Sequence, residues 1–335
     1  MFAAGRLKRA IGVNKVRAMD AAGTIRAARL HKHGEPLLVE ETRLPEPSDD
    51  ELLVALEYAG VNPVDTYIAA GQVAPDGPLP RTLGSEAAGS VGGRPVAVAG
   101  EGLGAVRDGV WAEAAVVPAG AVIELPEGVS TRDAAAMGVA GLTAWKVVHE
   151  VGEVRPEDRV LVLGASGGVG SMIVSLARAA GATVWGQTGS DEKRAAIEQQ
   201  GAQRVLVAGP EELSKAVAEL EPTVVFDPLG DGFVAPAIEA LALRGRLVAF
   251  GVSAGAEVEL NMRTLYRKRL SVLGYAGLQL GTDERRQGLE RALAALREGD
   301  LRVQVDEVLE LEQVNEAFER LASRAVQGKL LLALG

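Results

Sequence analysis

Gly164, Gly167 and Gly170 stand in the run Leu163-Gly164-Ala165-Ser166-Gly167-Gly168-Val169-Gly170, between the apolar stretch Arg159–Leu163 and a helical pattern over Ser171–Ala180. Glycines at a strand-to-helix turn remove the Cβ atoms that would keep a pyrophosphate from the free backbone N–H groups of the helix N-terminus. The chemistry offered is binding of a dinucleotide phosphate, with Gly164, Ser166, Gly167, Gly168, Val169 and Gly170 as contact positions. The pattern reads GxxGxxG and departs from the commoner GxGxxG. Where a second strand ends, at Gly186-Gln187-Thr188-Gly189-Ser190, there is no carboxylate to bond a ribose 2′-hydroxyl. Ser190 and Lys193, with Arg194 beside them, offer a hydroxyl and cations to a 2′-phosphate, so NADPH rather than NADH is the expected cofactor. The plainer account of Lys193 and Arg194 is the solvated face of a helix that starts at Ser190 or Asp191.

The elements that must carry these residues alternate. Arg159–Leu163, Ala182–Gln187, Arg204–Val207, Thr223–Asp227, Arg246–Gly251 and Leu270–Leu273 read as strands, separated by helical patterns over Ser171–Ala180, Asp191–Gln200, Glu211–Leu220 and Phe233–Leu243. This rhythm predicts βαβ units and a parallel sheet. Asp227–Gly230 and Phe250-Gly251-Val252 then fall at the carboxyl edge of the sheet, where ligands bind, so Phe250, Gly251 and Val252 join the candidate cofactor contacts. Upstream, short β-type runs separated by Pro and Gly cover Ile25–Leu30, Leu37–Glu40, Glu51–Tyr58, Arg94–Ala99, Ala112–Val117 and Ala121–Leu125. The chain ends with strand, helix and strand over Arg302–Leu309, Glu312–Ser323 and Lys329–Leu334. An α/β chain is expected, with a doubly wound domain over 145–276 inserted into a mostly β domain made from 21–144 and 277–335.

The 335 residues suit about two domains, and 47% hydrophobic content is ample for two cores. A net charge of −10 argues against nucleic acid as a main partner. No apolar run approaches the ~18 residues of a membrane span, and the start lacks a secretory apolar core, so a cytoplasmic protein is expected. Zero cysteines exclude disulfides and thiolate-bound metal. Residues 1–20 hold Arg6, Lys8, Arg9, Lys15 and Arg17 against one acid, Asp20, and read as a disordered or over-extended start with Met19 as the initiator. His31 and His33 alternate on an early strand and His149 ends a helix, which favours ordinary structural or surface roles over zinc ligation.

Several ordered passages give the chain a broader likeness. Ala59-Gly60-Val61-Asn62-Pro63-Val64-Asp65-Thr66-Tyr67, Leu83-Gly84-Ser85-Glu86-Ala87-Ala88-Gly89, Gly141-Leu142-Thr143-Ala144-Trp145, the Gly164–Gly170 turn, Val225–Gly230 and Ser323–Lys329 together resemble the medium-chain dehydrogenase/reductase superfamily. The likeness is to its zinc-free, zeta-crystallin-like quinone oxidoreductase branch, and it runs from about Thr24 to the end. It implies a Rossmann sheet inserted in a GroES-like catalytic domain. It also implies that Asn62 and Tyr67 lie beside nicotinamide and substrate as the catalytic residues, with Asn62 and Thr143 touching the cofactor. Arg324 and Lys329 belong to a basic C-terminal element that reaches the cofactor in the family, Arg324 towards the 2′-phosphate. Turn formation at Asn62-Pro63, a half-buried Tyr67 and simple helix packing at Thr143 are the non-catalytic readings.

Zinc-dependent members carry a metal-binding cysteine where this chain has Asn62 and a histidine where it has Ser85, so no metal is expected. Without a Lewis acid, conjugated carbonyls are better acceptors than alcohols are donors, because an extended π system spreads the charge that hydride brings. The expected activity is hydride transfer from NADPH to a quinone or α,β-unsaturated carbonyl. An enoyl-thioester reductase and a non-catalytic NADPH-binding protein are the alternatives. Two departures bear on substrate range: the connection after Gly89 is shorter than the family's hairpin, and aromatic residues make up only 4%. A homodimer is expected through the edge strand Leu270–Leu273.

Overall fold

The computed structural model describes residues 23–335, so the expected extension over residues 1–20 lies outside the described residues. The chain divides into two compact units. One holds the described residues up to Val139 with Gly281–Ala294 and Val305–Gly335, and the other holds Ala140–Leu280 with Ala295–Gln304. The sequence expectation puts these boundaries at 144/145 and 276/277 and gives all of 277–335 to the first domain. Residues 295–304 instead join the second unit, where Leu301 is buried, the Arg302 N–H donates to Ser175 Oγ at 3.1 Å and its guanidinium reaches Gln199 O at 3.3 Å.

The second unit is built on β9 (Arg159–Val162), β10 (Thr183–Thr188), β11 (Arg204–Val207), β12 (Val224–Asp227), β13 (Arg246–Ala249) and β14 (Ser271–Gly274). All pairs are parallel, in the order β11-β10-β9-β12-β13-β14. The chain's first strand here, β9, lies mid-sheet with successors running off on both sides. That is the switch point of a doubly wound sheet, and the loops at the carboxyl ends of β9 and β12 face a ligand crevice. Helices cover both faces, so β9 and β12 are apolar rather than alternating, and Val160, Leu161, Val162, Val224, Val225 and Phe226 are fully buried. The helix after β9 runs Gly168–Ala179, three residues ahead of the expected start. Its first turn is made of residues the sequence assigns to the loop, because that turn packs directly on the glycine bend.

The first unit contains β1 (Thr24–Leu30), β2 (Leu38–Arg43), β3 (Glu51–Val61), β4 (Arg81–Thr82), β5 (Glu86–Val91), β6 (Arg94–Ala99), β7 (Ala114–Pro118), β8 (Val122–Glu124), β15 (Val305–Glu310) and β16 (Lys329–Ala333). The larger sheet runs β15-β16-β3-β5-β6-β8, with β7 also on β3. β16 lies antiparallel to β3, with Leu330 opposite Val61 and Leu332 opposite Ala59. Leu330, Leu332 and Leu334 from the chain's end thus share one core with Leu52, Val54, Leu56 and Val61. Strand β5 has no counterpart in the sequence reading, because Ala87-Ala88-Gly89-Ser90 lacks the β-branched and aromatic residues that mark strands. Smallness is what the position needs. A Cβ on Gly89 would overlap Ala55 O and stand 2.8 Å from Leu56 Cα, beside the bulge of β3. The short connection noted after Gly89 is a two-residue hairpin, Gly92 and Gly93 at φ +57° and +80° between the pair Val91 and Arg94.

Two of the histidines lie off the strand expected for them. β1 ends at Leu30, so His31 and His33 lie in the turn that follows, with His31 Nε2 2.9 Å from Glu40 Oε1 and His33 Nε2 3.2 Å from Pro75 O. His149 sits in the π-helical turn Val147–Val151, its ring 5.1 Å from that of Trp145. Among the described residues no helix is long and apolar enough to cross a membrane.

Candidate functional site

In the second unit the glycine bend is held from beneath. Gly164 takes φ +59°, its N–H donates to Gln187 Oε1 at 2.9 Å, and the Gly167 N–H returns to Gly164 O at 3.0 Å. Gln187 is buried and gives its other amide group to Ala208 O at 2.6 Å, so one side chain ties the turn after β9 to the residue following β11. The sequence reading gave Gln187 no role of its own and missed that anchor. A Cβ on Gly170 would overlap Gly164 O. One on Gly167 would meet only that oxygen, at 3.4 Å, which leaves the space in front of the helix N-terminus open. Ser166 is buried and Gly168 and Val169 are half-buried. The helix is long enough to present free N–H groups to an anion, so these residues fit a dinucleotide phosphate.

Around the bend, Ser190 precedes the 3₁₀ turn Asp191–Lys193, and the space over Gly189 is clear. Arg194 is folded back: Nε donates to Asp191 Oδ1 at 2.8 Å and Nη1 to Val205 O at 3.0 Å. It is committed locally and drops out as a 2′-phosphate ligand. After β12, Asp227 accepts from the Leu229 N–H at 2.8 Å and the Gly230 N–H at 3.2 Å, and burial pushes its carboxyl upward. Gly251 lies against Pro228, Phe250 is half-buried, and Val252 is exposed. Thr143 is half-buried in the α-turn Leu142–Lys146, which lies between π-turns at Met137–Gly141 and Val147–Val151.

In the first unit, β3 ends at Val61 and the chain turns at Asn62 into the helix Pro63–Ala69. Pro63 presets the first helical residue, and Asp65 reaches back, its Oδ2 accepting the Asn62 N–H at 2.8 Å. Asn62 Nδ2 donates to Glu86 Oε1 at 2.7 Å, and Asn62 Oδ1 accepts from Lys329 Nζ at 2.6 Å. Lys329 also donates to Glu86 Oε1 at 2.7 Å and to Val61 O at 3.1 Å, which uses all three of its protons. Glu86 Oε2 accepts the Val139 N–H at 2.7 Å. Glu86 is 0% exposed and Lys329 3%, so a fully desolvated ion pair fixes the Asn62 amide. Gly60 makes the room, since a Cβ there would overlap Glu86 Oε1. The family likeness set Lys329 with Arg324 as a cofactor contact; instead it is an internal partner of Glu86. Arg324 caps the helix Val314–Ser323 in a left-handed conformation, and Tyr67 is partly exposed on the helix after Asn62.

Comparison with known proteins places this architecture. The alcohol dehydrogenase GroES-like domain family matches residues 48–127, and the zinc-binding dehydrogenase family matches 168–295. Quinone oxidoreductase 1 of Escherichia coli is 30% identical over 327 residues, covering 90% of this chain and 97% of its own. The chain belongs to the quinone oxidoreductase branch of the medium-chain dehydrogenase/reductase superfamily. Two solved relatives of the superfamily share the fold. One described as an NAD-dependent alcohol dehydrogenase is 29% identical at TM-score 0.84, covering 92% of this chain and 100% of its own. A mycobacterial protein solved with NADPH is 26% identical at TM-score 0.81, covering 92% and 99%. As a quinone oxidoreductase-type chain this is an oxidoreductase of a family that binds nicotinamide dinucleotides.

The superfamily includes zinc enzymes, but the donors here do not fit a zinc ion. Asn62 and Ser85 offer neither thiolate nor imidazole, and Glu86 is already taken by Lys329, Asn62 and the Val139 N–H. Among the described residues no group of His, Cys, Asp or Glu converges as a metal site.

Asp65 is the other buried carboxyl. Burial drives it up to about 6, with Glu86 adding to the rise, while hydrogen bonds from Ser85 Oγ (2.8 Å to Oδ1) and the Asn62 N–H, and the charge of Lys329, oppose it. The native chain therefore holds this proton more firmly than the unfolded chain does. The resulting stability is fully present below about pH 4 and is lost as pH rises to about 6, by about 3 kcal/mol. Asp65→Asn keeps an acceptor and cannot ionise. Its unfolding free energy relative to the wild type is expected to improve by that amount between pH 4 and 7 in urea titrations, and a pH-independent difference contradicts this.

Proposed function

We propose that this protein is a zinc-independent reductase that transfers hydride from NADPH to a quinone or an α,β-unsaturated carbonyl. The observation that carries the reading is the donor set: Asn62 and Ser85 stand at the two positions where the family likeness puts metal ligands in zinc members, and the neighbouring Glu86 is spent on Lys329, Asn62 and the Val139 N–H. The name carried by the E. coli relative supports a quinone acceptor. NADPH, when bound, supplies the hydride. The chain's part is to bind, orient and exclude water. Gly164, Ser166, Gly167, Gly168, Val169 and Gly170 cradle the pyrophosphate, and Ser190 and Lys193 take the 2′-phosphate, a role proposed for Arg324 as well. Thr143, Phe250, Gly251 and Val252 line the nicotinamide end. Asn62 and Tyr67 contact acceptor and nicotinamide. The Asn62 amide is locked by Lys329 and Glu86, and among the described residues its second Nδ2 proton has no partner, so it is a preoriented donor for the carbonyl oxygen.

Lys193→Glu is expected to lower kcat/KM for NADPH about tenfold or more while leaving NADH within about twofold, since only the 2′-phosphate meets the reversed charge. Equal effects on both coenzymes would remove Lys193 from the site. The second unit also leaves β14 at the sheet edge, with Val272 47% exposed and Tyr266 and Met262 exposed nearby. We place a second copy of the chain against this edge, in a homodimer. Val272→Lys is expected to run as a monomer in gel filtration, against a dimeric wild type.

A further inference from the structure

Asp65 and Ser85 form a couple that the binding roles above leave unused. The Asp65 carboxyl is buried, whereas Ser85 is only half-buried, so the hydroxyl is the more accessible end of the couple. Two groups hydrogen-bond to Asp65, Ser85 Oγ and the Asn62 N–H, and the charges of Glu86 and Lys329 act on it, one raising and the other lowering its carboxyl. One cation therefore serves two carboxyls. Lys329 is spent on Glu86 at 2.7 Å, and Asp65 meets only neutral donors, at 2.8 Å from both Ser85 Oγ and the Asn62 N–H. Asp65 is the spare acid of the network. Capping the helix after Asn62 needs only an acceptor, which an Asn would supply, so the cap does not account for a carboxylic acid there.

We propose that the Ser85 hydroxyl, recharged by Asp65, is the proton donor that completes reduction of the acceptor carbonyl. The proposal rests on the reductase reading above. Hydride delivered to a quinone or enone leaves negative charge on the carbonyl oxygen. With Asp65 protonated, the hydrogen bond from Ser85 Oγ to Asp65 Oδ1 reverses, the acid donating to Ser85 Oγ and the hydroxyl proton turning to the acceptor. The Ser85 O–H bond then breaks as its proton passes to that oxygen, and the Asp65 O–H bond breaks as its proton passes to Ser85 Oγ. Asp65 is left as carboxylate and regains a proton from solvent through Ser85. The sum is NADPH, quinone and one proton giving NADP⁺ and hydroquinone, with Asp65 unchanged. Its elevated carboxyl, at about 6, stays partly protonated in neutral solution and can be emptied and refilled each turnover.

The test is the pH profile of NADPH oxidation with a small quinone and a 2-enone, for the wild type, Ser85→Ala, Ser85→Thr and Asp65→Asn. The wild-type kcat is expected to fall above about pH 6. Ser85→Ala should lower kcat about 10²-fold with acceptor KM little changed, and Ser85→Thr should restore most of it. Asp65→Asn should be slow and lose the pH dependence. Infrared difference spectra should show a protonated carboxyl that disappears as pH rises through about 6 and is absent from Asp65→Asn, a readout independent of turnover. A Ser85→Ala enzyme with wild-type kcat and pH profile, or an Asp65 ionised throughout, overturns the assignment while leaving the reductase reading intact. No wild-type turnover with any conjugated carbonyl overturns both.

Discussion

Lys329→Met is expected to destabilise the first unit by about 3–5 kcal/mol, because it strands the Glu86 carboxylate at a site with no exposure. Three hydrogen bonds leave with the ammonium, to Glu86, Asn62 and Val61 O. Glu86→Gln alone leaves the ammonium buried beside a neutral amide and should be costly for the same reason. The double variant Lys329→Met/Glu86→Gln removes both charges, and a buried pair replaced by neutral groups is often close to neutral in stability. A double-mutant cycle by urea unfolding should therefore show strong coupling, with the double variant more stable than either single one. Losses that simply add would show that the pair is not the unit the geometry describes. The double variant should nevertheless turn over poorly, because the Asn62 amide loses the partners that aim it.

Two glycines in the phosphate bend should separate folding from binding. Gly170→Ala places a methyl group into Gly164 O and 3.0 Å from Ala165 Cα, both backbone atoms that cannot yield without moving the helix off the turn. Loss of stability of about 2 kcal/mol or more is expected, with NADPH binding lost alongside. Gly167→Ala meets only Gly164 O at 3.4 Å and should fold as the wild type does, since its φ of −78° suits any residue. Its methyl group instead occupies the space left for the pyrophosphate, so NADPH affinity should fall about tenfold or more in fluorescence titration. Wild-type affinity in Gly167→Ala would move the phosphate site elsewhere.

How much of this could be seen in the chain beforehand depended on range. The bend was legible because glycine at 164, 167 and 170 is a local necessity, and the six-strand rhythm of the second unit was legible because apolar runs such as Val160-Leu161-Val162-Leu163 and Val224-Val225-Phe226 recur between helical patterns. Strand β5 was not, because close approach at Gly89 selects residues that look like loop. The Glu86–Lys329 pair joins residues 243 apart in sequence, a separation that no local pattern encodes. A clue existed: Glu86 heads a run of small residues and Lys329 heads Leu330-Leu331-Leu332, and a charge at the start of a buried strand needs a partner. The roles of Gln187 and Arg194 were hidden for a related reason, since their partners, Ala208 O and Val205 O, are backbone atoms that any residue would carry.

The most direct test of a metal-free hydride transfer is steady-state NADPH oxidation with small quinones, 2-enones and an enoyl thioester, run in the presence of a strong chelator with NADH in parallel. Turnover of a quinone or enone that survives chelation and favours NADPH is the expected result. Activity that is abolished by the chelator and restored by zinc would contradict the account, as would saturable NADPH binding with no oxidation by any acceptor.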